Sequence, residues 1–127
     1  MNIKRRYILS HREIQYIINT KNKKFIRWKV LNINIIPQYS WNFYNKFAIS
    51  ISVKFHKKAV YRNILRRIFF DIIWKKSYVG KKSNFWYVKI YVSLKKWVNF
   101  DVKDKKFRKK VREAFEKDLK LIFKDDL

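Results

Sequence analysis

Cysteine is absent, and glycine and proline occur once each in a chain of 127 residues. Without cysteine there is no disulfide framework and no thiolate metal site, which fits a reducing compartment. One glycine cannot build a glycine-rich phosphate loop, and average usage would supply roughly nine glycines and six prolines. Acids are scarce as well: before residue 100 only Glu13 and Asp71 occur, beside two histidines, His11 and His56. A hydrolytic metal centre gathers several such groups at one place. Ser10, Ser50 and Ser52 are not expected to form a nucleophilic triad, since Glu13, the one acid near any of them, is taken up by helix capping. These shortages argue against a catalytic centre carried by the chain itself, and no metal site is expected in it. No apolar run reaches the roughly 18 to 20 residues that a membrane helix needs. The opening "MNIKRRYILSHREIQYIINTKNKK" has no sustained apolar stretch followed by small residues, so no signal peptide is expected and the location is expected to be cytoplasmic.

What the chain does have is cation and ring. Lys and Arg number 33 against 9 Asp and Glu, for a formal charge of +24. A single domain of this size repels itself at such a charge unless a polyanion neutralises it. Nucleic acid is the leading candidate and an anionic membrane surface the second. Enrichment in Lys, Asn, Ile, Phe and Tyr also matches A/T-rich codons, so part of the lysine excess carries no functional meaning. The chain is no disordered polycation, because 48% of it is hydrophobic and 19% aromatic.

The pattern along the chain predicts alternating element types. "SHRE" is a capping box, with Ser10 and Glu13 satisfying free backbone donors at a helix start, and Ile14, Ile17 and Ile18 continue it to about Asn19. "FIRWKVLNINII" alternates on Ile26, Trp28 and Val30 and then changes parity to Leu31, Ile33 and Ile35. A parity change means a bulge or two short strands in succession. "PQYSWNFYN" reads as a turn region. "KFAISISVK" alternates Phe47, Ile49, Ile51 and Val53 against Ala48, Ser50 and Ser52.

Next comes a helix from about Lys58 to Trp74 with Ile64, Leu65, Ile68, Ile72 and Ile73 as its apolar stripe. Arg62 and Arg66 are four apart, as are Asn63 and Arg67, which sets these four on one adjoining ridge. Like charges at that spacing repel by a few tenths of a kcal/mol per pair in an isolated helix. A partner that favours them is implied. "KKSYVGKKSN" reads as a basic loop. "FWYVKIYVSL" reads as a strand with Trp86, Val88, Ile90, Val92 and Leu94 on one face and Phe85, Tyr87, Lys89 and Tyr91 on the other, where Tyr87 and Tyr91, with Lys89 between them, face a third helix or line an open groove. A final helix from about Asp104 to Lys124 has Phe107, Val111, Phe115, Leu119 and Ile122 as its stripe, and its lysines read as a solvated face. The order is helix, two or three strands, helix, strand, helix, in a single domain over 1–127.

Basic residues interleaved with aromatics suit RNA, since guanidinium groups bind phosphate in a bidentate fashion and rings stack on unpaired bases. "VKFHKKAVYRNILRR" concentrates Lys54, His56, Lys57, Lys58, Arg62, Arg66 and Arg67 in one short reach.

At "SISVKFHKKAVYRNILRR" the chain resembles the bacterial ribonuclease P protein subunit, whose signature is approximately K-x-G-x-A-V-x-R-N-R-x-K-R after a strand ending in S-V-S-K-K. Ser52, Lys54, Ala59, Val60, Arg62, Asn63, Arg66 and Arg67 match it, and the element order and length match along nearly the whole chain. Lys57 stands where the family has Gly, and Ile64 stands at the third position of R-N-R. The resemblance implies an α+β fold, a helix-strand-strand-strand-helix-strand-helix two-layer sandwich with a mixed four-stranded sheet. It implies a non-catalytic subunit that binds ribonuclease P RNA and the 5′ leader of precursor tRNA, while the RNA with magnesium hydrolyses the phosphodiester. Lys54, Lys57, Lys58, Arg62, Asn63, Arg66 and Arg67 are the expected RNA-binding residues. Lys4, Arg5, Ile14, Ile18 and Trp28 are expected at the leader cleft, with Ile14 and Ile18 standing for first-helix aromatics of the family. The alternative from composition alone is a ribosomal or other structural RNA-binding protein. An autonomous nuclease and a DNA-binding architectural protein fit less well.

Overall fold

A computed structural model describes residues 5–21, 23–27, 31–37, 39, 43–51, 59–80, 83–90 and 105–125. A 3-10 turn at Arg5–Tyr7 leads into helix α1 at His11–Asn19. Strands β1 (Lys24–Arg27), β2 (Leu31–Pro37) and β3 (Lys46–Ser50) follow, then α2 (Ala59–Lys75), a 3-10 turn at Tyr78–Gly80, β4 (Asn84–Ile90) and α3 (Lys105–Asp125). The sheet order is β1-β2-β4-β3. β1 with β2 and β2 with β4 are antiparallel, whereas β3 and β4 run parallel, so α2 is the crossover between them. Of the two readings of the parity change from Val30 to Leu31, two short strands in succession is the one that forms, β1 and β2 being paired with each other; Trp28 and Val30 lie outside the described residues.

The two long helices cover one face of the sheet. Leu65, Ile68, Phe69, Ile72 and Ile73 of α2 and Phe107, Val111, Phe115, Leu119 and Ile122 of α3 are buried there against Ile33, Phe47, Trp86 and Val88. The expected stripe of α2 holds, with Phe69 added at its centre. Ile64, expected in it, is only half-buried on its flank. α1 covers part of the reverse face, where Leu9, Ile17, Ile36, Ala48 and Phe85 form a second, smaller core. That is why Ala48, on the polar side of the expected alternation of β3, is buried along with its neighbours Phe47 and Ile49.

Several boundaries move. Pro37 ends β2 instead of opening a turn. The described spans of α2 and α3 open at Ala59 and Lys105, next to the expected starts at Lys58 and Asp104, which lie outside the described residues. The expected continuation of the last strand through Leu94 lies outside the described residues. The supposed basic loop after α2 contains a buried turn: Tyr78 and Val79 are buried, and the Tyr78 ring lies 4.2 Å from that of Phe123 at an interplanar angle of 3°. Ser77, at φ 56°, makes the left-handed bend that ends α2, a conformation that usually selects glycine.

Asn45 secures this corner. Fully buried, its side-chain amide donates to the Tyr78 carbonyl at 2.8 Å and its side-chain oxygen accepts from the Asn84 amide at 2.9 Å. Its own backbone N–H donates to the Val79 carbonyl at 2.7 Å. Asn45→Ala keeps the backbone bond and strands the other two partners, so a loss of about 2–4 kcal/mol is expected in urea unfolding. A variant as stable as the parent would mean that solvent satisfies both groups.

Candidate nucleic-acid interface

α2 exposes its cations because its apolar stripe is fully occupied by the sheet and α3. At about 100° per residue, Arg62 and Arg66 project on one flank and Asn63 and Arg67 on the outward face. Arg66 Nη1 donates to Asn63 Oδ1 at 2.8 Å, which fixes the two side chains relative to each other. The four residues expected on one ridge therefore do share the outer side of one helix. Lys54, Lys57 and Lys58 lie outside the described residues.

Acids that pair with cations here stabilise the scaffold. Asp71 Oδ2 accepts from Arg112 Nη2 of α3 at 2.9 Å and lies 3.2 Å from Lys75 Nζ one turn along α2. The sequence places Asp71 among the arginines of its own helix, and the structure brings Arg112 of α3 to it as well. Glu13 closes the capping box with Ser10 and accepts from Lys46 Nζ at 2.9 and 3.0 Å, which ties α1 to β3. Asp118, buried in α3, accepts from the Leu31 amide at the start of β2.

Burial alone raises the Glu13 carboxyl, but hydrogen bonds from the Ser10 amide and Lys46 outweigh it and hold its pKa below the ordinary 4.5. Burial likewise raises Asp71, and its bonds to Arg112 and Lys75 hold it below 3.8. Both carboxyls therefore bind protons less readily folded than unfolded. Their stabilisation is complete above about pH 4.5 and is lost as pH falls through the lowered folded values. The urea midpoint is expected to drop on that acid limb, and Glu13→Gln with Asp71→Asn to lower it at pH 7 while flattening the limb. An equally steep limb in the double variant would contradict this assignment.

The reverse face of the sheet is a second surface, half covered by α1. Register places Phe25, Asn34, Tyr87 and Ala48 in one row across the four strands, and Asn32, Lys89 and Ser50 in the next. Directly paired residues share a face, so aromatic, amide and cationic groups succeed one another away from α1. Tyr87 is half-buried and Phe25 is exposed. Lys89 Nζ sits 5.6 Å from the Tyr87 ring centroid. Of the residues read as facing a third helix or an open groove, Tyr87 packs half-buried against the small core under α1 and Lys89 stands in the open, while Tyr91 lies outside the described residues.

At the rim of this cleft Ile18 is exposed and Ile14 is half-buried against the small core. Arg5 is exposed on the turn leading into α1. Lys4 and Trp28 lie outside the described residues. The aromatic that α1 itself presents is Tyr16, 38% exposed, whose ring meets those of Tyr39 and Phe85 edge-on at 4.8 and 6.3 Å. Tyr16 and Tyr39 were not singled out from the sequence. Tyr16 falls between the isoleucines of the apolar face, and Tyr39 lies in a segment without periodicity, so only the fold brings them together.

No protein-family model matches the sequence, and no curated protein sequence matches it. Solved structures do share its fold. The RNase P protein of Staphylococcus aureus superposes with a TM-score of 0.67 at 16% identity over 91% of this chain and 93% of that one. The RNase P protein of Thermotoga maritima gives 0.67 at 20% identity, covering 92% and 96%. The Thermotoga protein in complex with 1-(4-fluorophenyl)-2-thiourea gives 0.63 at 20% identity, covering 87% and 91%. The α+β fold with its mixed four-stranded sheet is thus the fold of RNase P proteins, over nearly the full length of both chains.

Proposed function

We propose that this chain is the protein subunit of ribonuclease P. It binds the catalytic RNA through the outer face of α2 and holds the 5′ leader of precursor tRNA across the open half of the sheet beside α1. The observation that carries this reading is the Arg62, Asn63, Arg66 and Arg67 cluster on the crossover helix of a fold shared with RNase P proteins. Those side chains suit phosphate and base edges, because each guanidinium offers a planar fork of donors and a stacking face. The leader is single-stranded, and the row from Phe25 to Tyr87 with Lys89 beyond it offers stacking surface and charge together. Buried carboxylates bonded to amides and cations act as structural ties, which supports leaving bond cleavage to the RNA and its magnesium. The setting is the cytoplasm, where tRNA is processed.

The reading is tested by binding of precursor and mature tRNA to the assembled ribonucleoprotein. A preference for the precursor that appears only with the protein present, and shrinks at least tenfold in Tyr16→Ala with Tyr87→Ala, is expected. Equal affinity for both tRNAs would remove the leader from the account and favour a structural RNA-binding protein.

A further inference from the structure

The outer face of α2 does not end at its own arginines. Between α2 and the first turns of α3 runs a groove of about 590 Å³, floored by Val60, Ile64 and Ile68 and rimmed by Asn63 and Arg67 on one side and Arg108, Lys109 and Arg112 on the other. That volume falls within the range of about 300–1,000 Å³ typical of sites for small organic groups. Val60 is 63% exposed although apolar, and Arg112 is held in the rim by its bond to Asp71.

The helix that supplies the second rim is charged against its own dipole. Its first turn contains no acid, yet Lys105, Lys106, Arg108, Lys109, Lys110 and Arg112 crowd the positive end of the macrodipole, where cations are disfavoured. Asp71, shared with Lys75, pairs with Arg112 within this arrangement. A phosphate chain compensates it directly. The aliphatic floor asks for something else, a flat apolar body between the two cationic edges.

We propose that the groove between α2 and α3 seats an unpaired nucleotide of the bound RNA, with its base on Val60, Ile64 and Ile68 and its flanking phosphates on Arg67, Lys109 and Arg112. This rests on the RNA-binding reading above and extends the RNA surface from one helix to two. Base burial supplies an uncharged contribution, so affinity at this site does not vanish with salt as the phosphate contribution does.

Because the chain lacks cysteine, Val60→Cys provides a single thiol on the groove floor. Its alkylation by a maleimide is expected to slow at least tenfold when bacterial ribonuclease P RNA saturates the protein. Inorganic polyphosphate, which has the phosphates and no base, is expected to leave the rate near that of the free protein. Lys109→Ala, at an exposed position, is expected to reduce the log-log salt slope of RNA binding by about 0.7–0.9. An unprotected thiol in a protein that binds the RNA tightly would overturn the seat and leave the RNA-binding reading standing. Equal protection by polyphosphate would overturn the base and leave a phosphate channel. An unchanged salt slope would overturn the α3 rim. Failure of the unsubstituted protein to bind the RNA would overturn both readings.

Discussion

Arg62→Ala with Arg66→Ala is expected to weaken binding to ribonuclease P RNA by about a hundredfold or more at low salt. A hydrogen bond to a charged group contributes about 1.5–3 kcal/mol, and on the proposed function each guanidinium is expected to make at least one to phosphate. The log-log salt slope should shrink by about 1.4–1.8 for the two lost contacts. The fold should survive, because both side chains project off the buried stripe formed by Leu65, Phe69, Ile72 and Ile73, and Arg66 bonds to Asn63 on its own helix. Circular dichroism and the urea midpoint of the variant check that half of the statement. A large loss of affinity accompanied by a large loss of stability would assign these residues to the scaffold instead.

Phe123→Ala is expected to have the largest effect on the fold. Near the end of α3 and almost completely buried, Phe123 stacks on Tyr78 at 4.2 Å and on Trp86 at 4.7 Å, and its ring centroid lies 6.2 Å from that of Phe47. One ring thus joins α3 to β3, β4 and the turn after α2. Truncating a buried phenylalanine costs about 3–5 kcal/mol, and for a chain of this length that lowers Tm by about 10–20 °C. Phe123→Leu keeps most of the volume and loses the stacking, so a smaller cost of about 1–2 kcal/mol is expected. Thermal unfolding of the three proteins gives the comparison. A drop of only a few degrees in the alanine variant would show that this end of α3 is not docked as described. The consequence for function is indirect but specific. A loosened α3 removes the second wall of the groove, so Phe123→Ala should also weaken RNA binding at temperatures where the rest of the protein is still folded.

Much of this architecture is legible in the sequence because it depends on local periodicity and short-range chemistry. The capping box of Ser10 and Glu13 forms as its spacing requires. The stripes of α2 and α3 are buried as their three-and-four spacing predicts, and the alternation of β4 separates Trp86 and Val88 from Phe85 and Tyr87 onto the two faces. The Arg62 and Arg66 flank follows from helical geometry alone.

What the sequence conceals depends on packing between distant segments. Lys46 gives no sign of reaching Glu13, 33 residues earlier, and Asp71 gives no sign of choosing Arg112, 41 residues later. Asn45 reads as one more polar residue in a turn region, yet it is fully buried and bonds to both Tyr78 and Asn84. The cations of α3 read as a solvated face because only the packing of α3 on α2 sets Arg108 and Lys109 across a groove from Arg67. The same limit applies to Ile64. Its position suits the buried stripe, but the approach of α3 leaves it at the groove floor, half-buried, where the family pattern has an arginine.

That exchange has a physical consequence for how the proposed RNA surface is composed. An arginine at position 64 would point into the groove beside Arg67, whereas isoleucine gives the groove an apolar floor and leaves its charge to the rim. On the proposed reading the cationic contribution is then shared between α2 and α3 in place of a single helix.

The measurement that tests the central claim most directly is cleavage of precursor tRNA at low magnesium by a bacterial ribonuclease P RNA, without protein, with this protein, and with its Arg62→Ala, Arg66→Ala variant. The account predicts strong stimulation by the unsubstituted protein and little by the variant, at equal helical content. Tight binding of the RNA without any stimulation of cleavage would contradict it and leave a basic RNA-binding scaffold.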